Sequence, residues 1–445
     1  MKAISINKTG MRSIGLALCA ALPALATVAY PPRPPEQEAN AHDPAVFKDA
    51  DAYYVYATHG APVFRSRDLV AFEKVVEKAL PEAPERARAH VGGRERDTIW
   101  APDMVKVGDQ YRLYYCLSKF GTSQSYIGFA TAPSPTGPFT DAGRVIASTQ
   151  PTEKPHHPNA LDPSILVDAD GLHWMVYGSF FGGIHAVRLE PTTGERRRDE
   201  IGDRIAYRHN TALEGPCAIY HPALKHYFLF VSYDKLDSTY NVRVGRSKRP
   251  GGPYKDFRGK DLAGEEDNLP KILNSYAFEN HPGWHGPGHN SVLRDGNDYF
   301  MVHHARVEID GRKQVRLHVR KMVFTDDGWP VVSPERYAGE REQPIPERAM
   351  AGRWEFLPID PADNGMQQAR TGLVFEPKGV LRFGAETGTW KIDPPNSLHF
   401  KLGKREAVGA KVLPAWDWEN DRPTLVFTGL DKAGVAVWGK RGDGE

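Results

Sequence analysis

Five polar residues begin similar stretches of the sequence, and four of them are carboxylates. They are Asp43, Asp103, Asp162, Glu214 and His289. Carboxylates are rarely buried without partners, and crowding of like charges raises the pKa of at least one of them. A carboxyl group with a raised pKa donates a proton near neutral pH, and an ionised neighbour accepts one. If the fold gathers these residues, the expected chemistry is general acid–base catalysis.

The five residues lead the copies of a degenerate repeat. Each copy has a polar residue, a short apolar run, a turn and an aromatic strand, as in HDPAVFKDADAYYVYAT from His42 and LDPSILVDADGLHWMVYGS from Leu161. The leading residues recur at intervals of roughly 50 to 75 positions, which is typical of β-propeller blades with about four strands each. The fold class that we expect is all-β, with a five-bladed β-propeller.

A propeller would give this repeat a chemical meaning. The innermost strands of all blades run the same way along the central axis, so their starts gather at one mouth of the channel. Residues far apart in sequence then become neighbours around a ring. The alternative is that Asp-Pro only begins each strand as a turn. That alternative explains Glu214 poorly, because Glu is not a favoured turn residue.

Paired carboxylates that flank a scissile bond are the usual machinery of glycoside hydrolysis. Seven fragments, in order and spacing, resemble glycoside hydrolase family 43 and, within it, the endo-1,5-α-L-arabinanases. The resemblance covers roughly residues 40 to 340. The fragments are HDP at His42, IWAPD at Ile99, NALDPS at Asn159, YGSFFGGI at Tyr177, EGP at Glu214, GPGHNSV at Gly286 and RKMVFTDDGWPVVSP at Arg320.

The resemblance implies an inverting hydrolase that cleaves α-1,5-linked L-arabinofuranosyl bonds in arabinan. Asp43 matches the general base, Glu214 the general acid, and Asp162 the carboxylate that orients the acid and modulates its pKa. An inverting acid and base stand about 6.5–9.5 Å apart to admit a water molecule. Two alternatives stay open within the family, an exo-acting α-L-arabinofuranosidase and a β-xylosidase. Rivals of other classes are a non-catalytic carbohydrate-binding propeller and a protein-interaction propeller.

The same resemblance assigns an ion to the fifth position. His289 matches a histidine that helps to hold an ion, usually calcium, with water as the other ligands. Calcium ordinarily prefers oxygen ligands, so composition alone does not indicate this site. The alternative is a hydrogen-bonded structural histidine. No organic cofactor is expected.

Substrate contacts are expected from residues beside the ring positions. Sugars bind to aromatic faces and polar side chains, although any one aromatic residue here could equally be packed in the core. Asp103 would either line the pocket or anchor a loop. The candidate substrate-binding residues are Trp100, Asp103, Asn159, Ser179, Phe180, His304 and Arg306.

The composition of the chain limits the classes of partner that are expected. The chain has 445 residues, with 57 basic and 56 acidic side chains and a net charge of +1, which argues against nucleic acid or an acidic membrane as the main partner. Besides Cys19, only Cys116 and Cys217 occur, and they are expected to be small buried apolar residues. Charged segments at 77–97 and 149–160 are expected as insertions at the channel mouth.

The two ends of the chain carry further signals. Residues 1–29 are interpreted as a signal peptide with the A-x-A cleavage site Ala24-Leu25-Ala26, followed by a linker at 30–40. The protein is therefore expected to be secreted or periplasmic and monomeric, with no stable membrane association and arabinan or arabino-oligosaccharides as partner. The propeller is assigned to 41–340. Residues 350–445 are expected to form a small β-barrel or sandwich, which either binds carbohydrate or packs against the propeller.

Overall fold

The computed structural model describes residues 27–35, 39–92, 98–149, 157–197, 200–264 and 266–442. Residues 1–26 of the expected signal peptide lie outside the described residues. So do residues 93–97 and 150–156 of the two expected insertions. Within the described ranges, no helix is both long and apolar enough to cross a membrane.

Five four-stranded antiparallel sheets follow one another along the chain, each built from consecutive strands. The first two consist of β1 (Ala45–Asp49), β2 (Ala52–Tyr56), β3 (Val63–Ser66) and β4 (Glu73–Val76), then β5 (Trp100–Val107), β6 (Gln110–Ser118), β7 (Ser125–Ala132) and β8 (Thr140–Ser148). The third and fourth consist of β9 (Ser164–Val167), β10 (His173–Tyr177), β11 (Ile184–Arg188) and β12 (Asp203–Ala206), then β13 (Leu213–His221), β14 (His226–Tyr233), β15 (Asn241–Ser247) and β16 (Lys271–Leu273). After the short strand β17 (Tyr276–Ala277), the fifth consists of β18 (His285–Asp295), β19 (Asp298–Ile309), β20 (Arg312–Phe324) and β21 (Pro330–Val332).

The first strand of each sheet packs against the first strand of the next, from β1 through β5, β9, β13 and β18 and back to β1. The sheets are therefore the blades of a closed ring, and the predicted five-bladed β-propeller is confirmed. A short helix α1 (Glu85–Val91) lies in the charged segment after the first blade. It buries Ala87 and Val91 against the second blade.

The ring closes between the fifth and first blades without exchange of a strand. Ser291 Oγ donates to the carbonyl oxygen of Pro44 at 2.8 Å and accepts from the Val46 N–H at 3.0 Å. Below these bonds, Val55 and Phe300 belong to one buried apolar cluster that spans the two blades. The starts of the first and last innermost strands are thereby fixed to each other.

The rest of the chain forms an eight-stranded closed barrel, preceded by the helical turn α2 (Glu347–Met350). A pair of parallel strands, β17 and β23, links propeller and barrel. The remaining elements are β22 (Gly352–Pro358), β23 (Gln367–Gln368), β24 (Arg370–Glu376), a 3₁₀ turn (Pro377–Gly379), β25 (Val380–Phe383), β26 (Glu386–Asp393), β27 (Ser397–Leu402), β28 (Arg405–Asp417), β29 (Arg422–Leu430) and β30 (Ala436–Arg441).

The barrel shares its apolar core and a buried charge cluster with the propeller. Trp438 is fully buried in a cluster that also contains residues of the fourth and fifth blades. The Lys440 ammonium lies 3.1 Å from Glu335, which follows the last blade, and 2.9 Å from Asp417 of the barrel. Trp354, Trp390 and Trp416 are also buried, so their faces are not open to a sugar. This packing favours the supporting role for the barrel.

Candidate active site

One backbone feature marks the mouth of the channel. Near the start of each innermost strand, a residue adopts a left-handed conformation, with φ between 35° and 55°. Asp43, Ala101, Asp162, Gly215 and His289 do so on the five blades, and on the fifth Gly286 does so as well. Glu214 thus precedes its ring position by one residue, and Asp103 follows its own by two. The expectation that all five polar residues are equivalent is therefore wrong for these two, because β-bulges shift the register there.

Asp43 is held as an ionised carboxylate. Its Oδ2 accepts from the Thr58 hydroxyl at 2.6 Å and lies 3.2 Å from His42 Nδ1, while its Oδ1 lies 3.1 Å from His289 Nδ1. Burial raises the pKa of Asp43, but the neighbouring imidazoles of His289 and His42 outweigh burial and bring this pKa well below the ordinary value of 3.8. Such a group can accept a proton near neutral pH.

Glu214 is held in the opposite state. Burial, helped by the negative charge of Asp162, raises the pKa of Glu214 to about 7. Hydrogen bonds from Tyr240 Oη to Oε1 and from Ser179 Oγ to Oε2, both at 2.9 Å, oppose this rise because they favour the ionised carboxylate. Glu214 is therefore protonated in mildly acidic solution, with two hydroxyl groups ready to stabilise the charge left after proton donation.

Asp162 lies between these two groups. Its Oδ2 accepts from the Gly215 N–H at 3.1 Å, next to Glu214 in the chain. Burial and the charge of Asp43 raise the pKa of Asp162 to about 7. The Asp162 N–H donates to Cys116 Sγ at 3.5 Å. Cys116 and Cys217 are buried, as predicted, and they do not pair with each other, which the sequence left open. Asp162 therefore interacts electrostatically with both the acid, Glu214, and the base, Asp43.

Asp103 bonds to the backbone instead. Its Oδ2 accepts from the Ile165 N–H at 2.5 Å and its Oδ1 from the Met104 N–H at 2.9 Å. Burial raises the pKa of Asp103 to about 7. Since Ile165 lies in the first strand of the next blade, this carboxyl group joins the second blade to the third, as Ser291 joins the fifth to the first.

Two histidines offer nitrogen atoms to an ion or its water. His289 directs Nδ1 to Asp43, so a neutral ring carries its lone pair on Nε2, as in metal-ligating histidines oriented by a carboxylate. His304, 6.5 Å away between ring centroids, has a buried Nε2 without a hydrogen-bond partner among the described residues. Because its Nδ1 accepts from the Asp43 N–H, this Nε2 carries the proton and can donate to a water molecule but cannot ligate an ion. Elsewhere, the carboxylates of Glu335, Asp417 and Glu419 are close enough together to hold an ion, but they already surround the Lys440 ammonium.

The candidate substrate-binding residues fall into two sets. Trp100 and Phe180 are half-buried at the mouth, and Ser179 bonds to Glu214. The others are buried behind the carboxylates or in the loops. Asn159 accepts from Ser148 Oγ at 3.4 Å, and Arg306 donates to His42 Nε2 at 3.0 Å and to the carbonyl oxygen of Leu236. His304 is fully buried, with its Nδ1 accepting from the Asp43 N–H at 3.2 Å.

Sequence reasoning missed three residues of this site. His42 was only the first letter of a motif, although Nδ1 of its ring faces Asp43. Tyr240 stands in no recognised motif, and only the fold brings its hydroxyl to Glu214. Phe120 is 77% exposed on the loop between β6 and β7, which returns to the mouth. Only the exposure of its apolar ring marks Phe120 as a candidate, and exposure cannot be read from the sequence.

Comparison with known proteins finds a matching family over both parts of the chain. The profile of glycosyl hydrolases family 43 matches residues 33–330, and that of a C-terminal lipocalin-like domain matches residues 334–439. An extracellular endo-α-(1→5)-L-arabinanase of Thermotoga petrophila is 31% identical, over 90% of this chain and 93% of that protein. An extracellular exo-α-(1→5)-L-arabinofuranosidase of Cellvibrio japonicus is 30% identical, over 66% of this chain and 87% of that protein.

A solved structure agrees with this similarity along nearly the whole chain. The crystal structure of endo-1,5-α-L-arabinanase from Thermotoga petrophila superimposes with a TM-score of 0.85 and 30% sequence identity. The superposition covers 92% of this chain and 100% of that one. The likeness therefore includes the barrel as well as the propeller.

Proposed function

Because the chain belongs to glycosyl hydrolases family 43, we propose that its carboxylate site hydrolyses the α-1,5-linked L-arabinofuranosyl bonds of arabinan. One observation carries the proposal. At one mouth of the channel, His42, His289 and Thr58 contact the Asp43 carboxylate and favour its ionised form, while burial raises the pKa of Glu214 to about 7. A non-catalytic sugar-binding propeller would have no use for two carboxyl groups in opposite protonation states.

The reaction follows from these two states. Glu214 donates its proton to the glycosidic oxygen as the bond from that oxygen to the anomeric carbon breaks. Asp43 removes a proton from the water molecule whose oxygen bonds to the anomeric carbon on the opposite face. The Ser179 and Tyr240 hydroxyls stabilise the Glu214 carboxylate that forms. Asp162 holds the Gly215 N–H and keeps the pKa of its neighbour raised.

We infer endo action rather than exo action. Two relatives that match both the propeller and the barrel, over 90% and 93% of this chain, are named endo-arabinanases. The exposed Phe120 ring lies on the loop between β6 and β7, at the end of the second blade where the mouth opens, and offers an apolar face for a sugar unit of a long polymer. Incubation with linear arabinan followed by product sizing tests this. We expect a ladder of oligosaccharides, and arabinose as the sole early product would establish exo action instead.

The pH dependence of kcat/KM is expected to be asymmetric. Activity requires Glu214 protonated, so it falls as pH rises through about 7. Activity also requires Asp43 ionised, so on the acid side it persists to below the ordinary aspartate value of 3.8. The measurement is the initial rate on linear arabinan from pH 3 to 9. As a control, Glu340→Gln removes a distant buried carboxyl group that also has a raised pKa, and should leave both limbs in place.

We propose that His289 holds a calcium ion through Nε2, with water completing the shell. Bound there, calcium supplies positive charge and ordered water beside Asp43. We expect added Ca²⁺ to stabilise the chelator-treated protein, by about 2.7 kcal/mol at a hundredfold excess over Kd. The thermal midpoint of unfolding reports this gain. His289→Ala should lose the response, whereas His285→Ala on the same strand should keep it. An equal response in both variants would remove His289 from the site.

We further propose that the protein is secreted or periplasmic. The A-x-A sequence at residues 24–26 and the extracellular relative support this. Sequencing of the amino terminus of exported protein should find it just after Ala26, and an intact terminus on the exported protein would contradict the proposed cleavage.

A further inference from the structure

A stack of three rings lies between the base and the acid. The His42 and His304 rings are stacked with centroids 4.5 Å apart and an interplanar angle of 23°. The His304 ring is also stacked with the Tyr240 ring, at 5.9 Å and 15°. His304 and Tyr240 are almost completely buried. The stack therefore has little room to tilt or slide.

The two ends of the stack bond to different catalytic groups. At one end, His42 Nδ1 lies 3.2 Å from Asp43 Oδ2, and the central ring supports the same residue, because His304 Nδ1 accepts from the Asp43 N–H at 3.2 Å. At the other end, the Tyr240 hydroxyl donates to Glu214 at 2.9 Å. The bond to the Asp43 N–H also supports a left-handed backbone that ordinary L-residues avoid.

Two features of the strands fix the stack in place. Gly288 pairs with His304 between β18 and β19, and a Cβ atom at Gly288 would come within 2.2 Å of the Tyr240 ring. The Tyr240 ring therefore rests directly on the backbone beside His304. Arg306 forms a second link, since it donates to His42 Nε2 and to the carbonyl oxygen of Leu236, in the loop that leads to Tyr240.

We propose that the rings of His42, His304 and Tyr240 are a positioning device that holds Asp43 and Glu214 at a fixed separation. The inference rests on the proposed function and adds His304 and Tyr240 to it as positioning residues. The separation matters because an inverting pair must admit one water molecule between base and substrate. A shift of either carboxyl group would lower the rate without weakening the binding of substrate.

Conservative variants separate this role from general stability. Tyr240→Phe keeps the ring but loses the hydroxyl bonded to Glu214, and His304→Phe keeps a ring but loses the acceptor for the Asp43 N–H. Each is expected to lower kcat on arabinan about tenfold or more with little change in KM. The matched control is Tyr233→Phe, which loses a buried phenol bond to Asn268 away from the carboxylates and should stay within about twofold.

Two further readouts test the coupling. On a dinitrophenyl arabinofuranoside, whose leaving group needs no proton, the defect of Tyr240→Phe should disappear and that of His304→Phe should persist. The kcat of the double variant should differ from the product of the two single effects by more than threefold. The proposal would be overturned if the kcat of the double variant equalled the product of the two single effects. It would also be overturned if both single variants kept a kcat within twofold of the parent. If His304→Phe does not fold, His304→Gln takes its place, since glutamine can accept from the Asp43 N–H but has no ring to stack. A kcat of this variant within twofold of the parent would likewise overturn the proposal.

These results stay distinct from a failure of the proposed function. A parent enzyme inactive on arabinan and on the aryl substrate would refute that function before any variant is compared. A fully active parent with unimpaired Tyr240→Phe and His304→Phe would refute the positioning device alone.

Discussion

Replacement of Glu214 by glutamine is expected to lower kcat on linear arabinan by about 10²–10⁴-fold, the usual contribution of a general acid. Glutamine has the same shape and can still accept a hydrogen bond from Ser179 or Tyr240, but its amide cannot protonate the leaving oxygen. The rate of new reducing ends, with enzyme in excess of any contaminating activity, is the measurement. On a dinitrophenyl arabinofuranoside the loss should be much smaller, because that leaving group departs without a proton.

Glu340→Gln is the matched control for this variant. Glu340 is also a buried glutamate with a pKa raised to about 7, but it bonds to the Ala338 N–H far from the mouth. Its kcat should remain near that of the parent. If Glu214→Gln kept turnover of both arabinan and aryl substrates, Glu214 could not be the acid.

Asp43→Asn is expected to reduce kcat by a similar factor, about 10²–10⁴-fold, through loss of the base. Asparagine tolerates the left-handed backbone that Asp43 adopts, so the ring position itself should be preserved. Here the loss should be the same on arabinan and on an activated aryl substrate, because the attacking water needs the base in both reactions. Steady-state kinetics on the two substrates measure this directly.

The control for Asp43→Asn is Asp49→Asn at the far end of the same strand, where the carboxylate pairs with Lys106 on the surface. Loss of that pair should leave kcat unchanged. A defect of Asp43→Asn that vanished on the activated substrate would indicate that Asp43, rather than Glu214, assists the leaving group.

The repeat in the sequence was sufficient for the propeller and for most of the ring. Asp43 and Asp162, each followed by proline, and His289 on the fifth blade share the left-handed backbone conformation near the start of an innermost strand. Burial of Cys116 and Cys217 and the β-structure of the C-terminal part also followed from composition and patterning.

The remaining site residues could not be placed from the sequence, because strand periodicity does not reveal bulges, contacts between strands or exposure. The β-bulges at Glu214 and Trp100 shift the register locally, so alignment by polar residue type placed Asp103 in the ring when Ala101 holds that position. Tyr240 reaches Glu214 because it directly precedes β15, which lies in the same sheet as β13 and begins at the same end of the blade. The exposure of Phe120 is likewise a property of a loop in three dimensions.

The stereochemistry of the first products tests the central claim most directly. Linear arabinan is mixed with enzyme in deuterated buffer, and new reducing ends are followed by proton NMR before the anomers equilibrate. With Asp43 as base and Glu214 as acid, the α-linkages should yield β-anomers first, with no such signal from Glu214→Gln. Initial α-anomers would mean retention through a covalent intermediate, and no new reducing ends from the parent enzyme would contradict arabinan hydrolysis itself.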